Sequence, residues 1–262
     1  MTTFKIASWN VNSLRVRLPH VLAWLETVKP DVLALQETKL IDSDFPAEVF
    51  QQLGYKIIFS GQKTYNGVAI ISRYEIADVV TDFPLFDDHQ RRVLAVTTHG
   101  IRILNLYIPN GESLTSTKYQ YKLNWLKILN NFVQNELKQS SQLIILGDFN
   151  IAPENIDVYD QAAWQNSVLF SEPERTAFQQ LLQLGLVDCY REKNPTEKSF
   201  TWWDYRLNAF KRNMGLRIDH ILADHKTASQ CISCYIDKSP RTWERPSDHA
   251  PIVAEYNEVP QS

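Results

Sequence analysis

Short apolar runs and helical-period stretches alternate along this chain, and most apolar runs stop at a glycine or a polar side chain. The clearest run, Leu143-Ile144-Ile145-Leu146, ends at Gly147 and predicts a buried central strand. Residues 5–9 predict a first strand. Leu18, Val21, Leu22, Leu25 and Val28 then recur at helical spacing, and Pro30 closes that helix. A second strand is expected over residues 32–35, ending in Gln36-Glu37. Residues 55–60 and 68–72 predict a hairpin turning at or before Asn66-Gly67. Residues 92–98 and 101–107 predict another, turning at His99-Gly100. Leu126, Leu129, Val133 and Leu137 share one face of a long helix. Ser171 with Glu174 is a capping-box pattern opening a further helix, with Phe178, Leu181 and Leu182 as its apolar face and Gly185 at its end. Three short strands complete the reading, around residues 200–203, 217–222 and 251–256. Many strands with a few interleaved helices predict two packed sheets covered by helices on their outer faces. No linker or repeat interrupts them, so one domain is expected over residues 1–262.

Composition narrows the class. With 262 residues, 44% apolar and 22% charged, the chain can build a large core as a water-soluble protein. Its apolar runs fall short of the ~20 residues of a membrane-spanning helix, and residues 1–6 lack the order of a signal peptide. A cytoplasmic location without membrane attachment is expected. Three cysteines form no disulfide framework, and the Cys231–Cys234 spacing has no second Cys or His pair to complete a zinc site. They read as reduced thiols. A formal charge of −3 argues against coating nucleic acid through bulk charge. Positive charge is local instead: Arg15 with Arg17, Arg91 with Arg92, residues 206–212, and Arg241 with Arg245.

The polar strand ends change the picture most. Asn10 and Asn12 end the first strand, Glu37 the second, Tyr107 and Asn110 the later hairpin, and Asp148 and Asn150 the central strand. Asp219 lies within a late strand, and Asp248-His249 precede the last. Such repetition predicts a shared cleft at one sheet edge, built on a rigid scaffold. Glu37 with Asp148 or Asp248 offers oxygen ligands suited to Mg²⁺ or Mn²⁺. His249 can act as a base toward water if a carboxylate such as Asp219 fixes its tautomer. Asn and Tyr side chains supply neutral donors to a phosphate.

These segments resemble the exonuclease III family of apurinic/apyrimidinic endonucleases. The matching blocks are residues 9–12, 35–39, 66–69, 107–111, 147–150, 215–219 and 247–251, and the segment Phe200-Thr201-Trp202-Trp203-Asp204-Tyr205-Arg206 is similar to the DNA-repair branch in particular. The resemblance implies an α/β four-layer αββα sandwich with two central β-sheets. It implies that Glu37 binds Mg²⁺ or Mn²⁺ with Asn10 beside it and Asp248 contributing. Asp148 would position or deprotonate the attacking water, or protonate the leaving group, with Asn150 on the phosphate. His249, paired with Asp219, would contact the scissile phosphate, which Tyr107 and Asn110 would also hold. Trp202, Leu216 and Ile218 match positions enclosing a flipped-out abasic sugar. Arg15 and Lys39, next to the Asn10 and Glu37 motifs, are candidates for DNA phosphates. Ser13 stands where the family often has glycine, and Asn12 matches a position acidic in some relatives, which excludes it from the ligand set. The implied enzyme is a monomer acting on double-stranded DNA with abasic sites or 3′ ends. A phosphatase or phosphodiesterase for inositol phosphates or phospholipids, or a catalytically dead scaffold, are the competing readings.

Overall fold

The computed structural model of this chain describes residues 3–84 and 86–257. Among the described residues twelve strands are formed: β1 (Thr3–Asn10), β2 (Val32–Gln36), β3 (Lys56–Ser60), β4 (Val68–Ser72), β5 (Ile76–Val80), β6 (Val93–Thr98), β7 (Ile101–Tyr107), β8 (Leu143–Asp148), β9 (Leu186–Asp188), β10 (Asp219–Asp224), β11 (Cys231–Ile236) and β12 (Ile252–Asn257). They make two six-stranded sheets, in the orders β11-β12-β1-β2-β4-β3 and β5-β6-β7-β8-β10-β9. The helices are α1 (Leu14–Val28), α2 (Ala47–Gln52), α3 (Thr117–Gln139), α4 (Gln161–Trp164), α5 (Glu172–Gln183), α6 (Cys189–Lys193) and α7 (His225–Ser229).

Three apolar clusters define the layers. Successive side chains of a strand point to opposite faces, so β8 sends Ile144 and Leu146 into the cluster between the sheets and Leu143 and Ile145 into the one beneath α3 and α5. β1 likewise sends Phe4 and Ile6 inward, and Ala7 and Trp9 outward against Val21, Trp24 and Leu25 of α1. The order is therefore helix, sheet, sheet, helix, the four-layer αββα sandwich expected. The capping box at Ser171 and Glu174 is present. The hairpin at His99-Gly100 pairs Thr98 with Ile101, and both turn residues have positive φ (51° and 74°), as a two-residue hairpin turn requires.

Some expectations are corrected. Residues 200–203 form no strand; Trp202 makes only isolated bridges, to Leu216 and to His249. The strand expected at 217–222 begins at Asp219 and runs to Asp224, because Arg217 and Ile218 bond outside the sheet, to Asp157 and Thr201. β5, β9 and β11 went unpredicted, and all three are sheet edges.

The topology positions the site. β1 pairs parallel with β2, and β7 pairs parallel with β8, whereas β10 and β12 run antiparallel to β8 and β1. The C-terminal ends of β1, β2, β7 and β8 thus share one rim with the N-terminal ends of β10 and β12. Gln36 and Asn105 join the two sheets just below that rim by a buried Nε2-to-Oδ1 hydrogen bond of 2.8 Å.

Candidate active site

Six strand ends deliver their polar residues to this rim. Asp148 closes β8 in register with Tyr107 on one side and Asp219 on the other. Gly147 makes the close approach possible: its φ is +144°, and a Cβ there would sit 1.9 Å from the Leu106 carbonyl oxygen. The loops after β1 and β2 are stapled by backbone bonds from Ser13 to the Glu37 carbonyl (2.7 Å) and from Leu14 to the Thr38 carbonyl (3.0 Å). Asn12, Ser13, Glu37 and Lys39 all have positive φ. Ser13, with φ 90°, takes the backbone a glycine would favour, so the departure from the family leaves the turn a position where L-residues are strained.

The centre is a chain of buried charges. His249 Nδ1 lies 2.8 Å from Asp219 Oδ2, and Nε2 lies 3.7 Å from Asp148 Oδ2. Asn10 Nδ2 donates to both Asp148 Oδ2 (2.8 Å) and Glu37 Oε1 (2.9 Å). Its amide orientation is fixed because Asn10 Oδ1 accepts the Asn12 N–H at 2.9 Å. Asn10 therefore clamps the two carboxylates together through its NH₂ group. Burial raises the Asp148 carboxyl; His249 opposes this, Asp219 and Glu37 add to it, and Asp148 ends at about 7. For His249, burial disfavours the imidazolium, but Asp219 and then Asp148 outweigh it and push the ring up to about 10. Glu37 also suffers from burial, yet Lys39 and Asn10 hold it below its ordinary value. Glu37, Asp148 and His249 each bring a ligand atom within 4.8 Å of the others.

The remaining expected residues surround this centre at different distances from the chemistry. The Tyr107 hydroxyl bonds Glu37, and burial followed by the Glu37 charge raises it well above its usual value. Asn150 donates to the Ile108 carbonyl at 2.9 Å and accepts from Asn110 Nδ2 at 3.1 Å. Asp248 is engaged at both oxygens, by Asn12 Nδ2 at 2.9 Å and Trp202 Nε1 at 3.0 Å, and stands outside the three-residue ligand group. Lys39 pairs with Glu37 Oε2 at 2.8 Å and Asn12 Oδ1 at 2.6 Å, whereas Arg15 reaches out to Asp44 at 3.1 Å. Leu216 and Ile218 are fully buried in a small apolar cluster with Ala152, Val158, Leu169 and Phe170, and the half-buried Trp202 packs at its edge.

Sequence reasoning missed Lys122. Its fully buried Nζ donates to the carbonyls of Asn110 (3.1 Å) and Asn150 (2.6 Å) and to Glu174 Oε1 (2.5 Å). One ammonium thus ties the loops of Asn110 and Asn150 to the capping box of α5. The signal was available: Lys122 lies four residues before Leu126 and seven before Leu129, on the apolar stripe of α3.

Known proteins share this scaffold. Residues 7–249 match the profile of the endonuclease/exonuclease/phosphatase family. The chain is 38% identical to exodeoxyribonuclease III of Haemophilus influenzae over 266 aligned residues, covering 96% of this chain and 99% of that protein. It superposes on a 3′ phosphatase from Neisseria bound to a product DNA hairpin with a TM-score of 0.96 and 48% identity, covering 97% of this chain and 99% of the other. An AP endonuclease from Archaeoglobus fulgidus gives a TM-score of 0.94 and 42% identity, with coverage of 97% and 99%. The chain belongs to the endonuclease/exonuclease/phosphatase family, in its exonuclease III branch.

Proposed function

We propose that this chain is a DNA-repair nuclease that hydrolyses the phosphodiester 5′ to an abasic site in duplex DNA, with 3′→5′ exonuclease and 3′-phosphodiesterase or phosphatase action at the same centre. The observation that carries this reading is the buried line Asp219–His249–Asp148 beside Glu37, at the rim of a scaffold matched nearly end to end by DNA nucleases. The donor set fits a hard cation: two carboxylates stand together, no thiolate is near, and Asp148 is raised by burial and then by its anionic neighbours Asp219 and Glu37. Glu37 and Asp148 would hold Mg²⁺ or Mn²⁺, with Asn10 clamping them. Such an ion, when bound, neutralises charge growing on the phosphate oxygens.

The chain's own residues supply the rest. Asp148, as a carboxylate, accepts the proton of the attacking water. His249, held protonated by Asp219, directs its Nε2–H at a phosphate oxygen and is too basic to take that proton itself. Asn150 and Asn110 donate to the phosphate, and Tyr107 stays a neutral donor because its ionisation is suppressed. Trp202, Leu216 and Ile218 would form the apolar wall for an extruded sugar lacking its base. Among the described residues no helix is long and apolar enough to cross a membrane. A single domain acting as a cytoplasmic monomer is the form this reading requires.

The test is one labelled duplex, with and without an internal abasic site, incubated with Mg²⁺ and with chelator. Incision 5′ to the lesion, lost in chelator and restored by Mg²⁺, is expected. Turnover of a phosphoinositide with no abasic incision would favour the phosphatase reading, which the near-full-length nuclease relatives do not support.

A further inference from the structure

Behind the two asparagines assigned to the phosphate lies a fully buried ion pair, Lys122 of α3 with Glu174 of α5. An ammonium has three N–H donors, and Lys122 has three acceptors in reach: the Asn110 carbonyl (3.1 Å), the Asn150 carbonyl (2.6 Å) and Glu174 Oε1 (2.5 Å). Glu174 is occupied as fully. Its Oε1 also accepts the Leu169 N–H (3.1 Å), and its Oε2 accepts from the N–H (3.0 Å) and the hydroxyl (2.5 Å) of Ser171. Leu169 belongs to the apolar cluster of Leu216 and Ile218. Tyr119, one turn before Lys122 on α3, shares a 2.6 Å hydrogen bond with the Ser171 hydroxyl.

Stability alone is a weak reason for such a pair. Desolvating two charges offsets most of their attraction, and apolar side chains of the same volume often serve folding as well. An apolar side chain, however, could not orient two carbonyls. Gly111, next to Asn110, has φ +99° and packs on the Lys122 shaft, where a Cβ would lie 3.3 Å from Lys122 Cδ. Asn150 is left-handed, with φ 50°, and its N–H returns to Asp148 Oδ1 at 2.9 Å while its carbonyl meets Lys122. A strained residue of this kind persists only where its surroundings hold it. The two side chains then meet, Asn110 Nδ2 donating to Asn150 Oδ1 at 3.1 Å.

We propose that Lys122, with Glu174, is a positioning residue: it holds the backbones of Asn110 and Asn150 so that both side-chain amides converge on one phosphate. The inference rests on the reading that these asparagines grip the scissile phosphate. Lys122 itself touches neither the substrate nor the metal, and its effect on turnover passes through the two amides.

Lys122→Met with Glu174→Gln removes both charges together, so neither is left buried alone. Displacing a gripping group by about an ångström costs on the order of 10²-fold in rate. Single-turnover incision of abasic duplex should fall by that order, with little change in melting temperature. The same two substitutions are then placed in Asn110→Ala/Asn150→Ala, where nothing remains to be positioned. There they should cost no more than about twofold, the usual error of additivity. A merely structural pair would lower the folded fraction alike in both backgrounds, so equal losses would overturn the proposal. Hydrogen exchange of the unmutated chain tests the same grip without substrate or variant. The N–H groups of Asn150 and Leu169, although in loops, should exchange as slowly as that of Ile145 in β8. Markedly faster exchange would show loops that open without regard to the pair, and would overturn the proposal even if the variants fold poorly. Failure of the nuclease reading would show separately, as a wild-type protein that leaves abasic duplex intact.

Discussion

Asp219 and His220 are adjacent on β10 and face opposite ways, into two buried charge clusters that could hardly differ more. On the side of His220 the network is closed. Arg217 bonds Asp157 through Nε (2.7 Å) and Nη2 (3.1 Å), and Asp188 and the ring Nδ1 of His220 through Nη1 (2.7 and 3.0 Å). The other ring nitrogen of His220 donates to the Ile151 carbonyl at 2.9 Å. Every nitrogen of Arg217 and His220 has a partner. On the side of Asp219 the network is open: Asp219 Oδ1 is buried with no hydrogen-bond partner, and Asp148 is raised to about 7 by its surroundings. The two histidines record the contrast. Burial and the Arg217 cation lower His220 to about 4, while the carboxylates outweigh burial and raise His249 to about 10. A satisfied cluster holds the fold together; an anionic, under-satisfied one is disposed to bind cations and move protons.

The contrast predicts opposite effects of mutation on the two sides. Asp148→Asn is nearly isosteric and removes a carboxyl that its surroundings disfavour when ionised. Turnover on an abasic duplex should fall by ~10²- to 10⁴-fold, the usual contribution of acid–base groups, while the melting temperature holds or rises. Full activity, or a collapsed melting temperature, would mean that Asp148 belongs with the structural cluster.

Arg217→Met should behave the other way. It leaves Asp157 and Asp188 buried without their cation, and breaking such a pair costs about 3–5 kcal/mol. Denaturant unfolding should show that loss, whereas turnover per folded molecule should fall far less than in Asp148→Asn. A variant as stable as wild type would dissolve the distinction.

Acid should reveal the closed cluster as well. His220 is neutral in the fold, with a value lowered from 6.5 to about 4. The unfolded chain therefore binds more protons between those values, and stability contributed above pH 6.5 is lost as the pH falls toward 4. The free energy at stake is roughly 3 kcal/mol. In His220→Asn this part of the pH dependence should disappear, at the expense of a lower plateau near neutrality; an identical slope in both proteins would exclude His220 as its source.

How much of this was legible beforehand follows from what each residue depends on. Interior strands such as β1, β2, β4 and β8 are covered on both faces, and their continuous apolar runs identify them. The unpredicted β5, β9 and β11 are edges: β5 is mostly exposed, β9 has three residues, and the bulge in β11 breaks its alternation. Strand ends likewise announced Asp148, Glu37 and His249. Two of the pairings were legible too, His249 with Asp219 and Glu37 with Asn10; the other partners did not announce themselves, because these depend on loops turned by left-handed residues. Lys39, expected on DNA phosphate, lies on Glu37, and Asp248, expected on metal, is held by Asn12 and Trp202. Residue type and spacing carry the chemistry available, whereas the pairing of side chains is set by backbone turns whose geometry local pattern does not encode.

The smallest expected effect tests the open cluster at its outer member. Glu37 differs from Asp148 in being held below its ordinary value, because Lys39 lies 2.8 Å away and Asn10 donates to it. It is therefore an anion at neutral pH before any metal arrives, and Lys39 competes with the metal for its charge. Glu37→Gln removes one anionic ligand but keeps the shape and the hydrogen bond from Asn10. The Mg²⁺ concentration for half-maximal rate should rise about tenfold, equivalent to about 1.4 kcal/mol, with little change in affinity for abasic duplex measured in chelator. Lys39→Met supplies the converse: freeing Glu37 of its ammonium should lower the Mg²⁺ requirement, unless Lys39 also contacts phosphate, in which case DNA affinity and its salt dependence fall together. If Glu37→Gln needs no more Mg²⁺ than wild type, the metal rests on Asp148 and its neighbours alone, and Glu37 with Lys39 joins Arg217 and Asp157 as a structural ion pair.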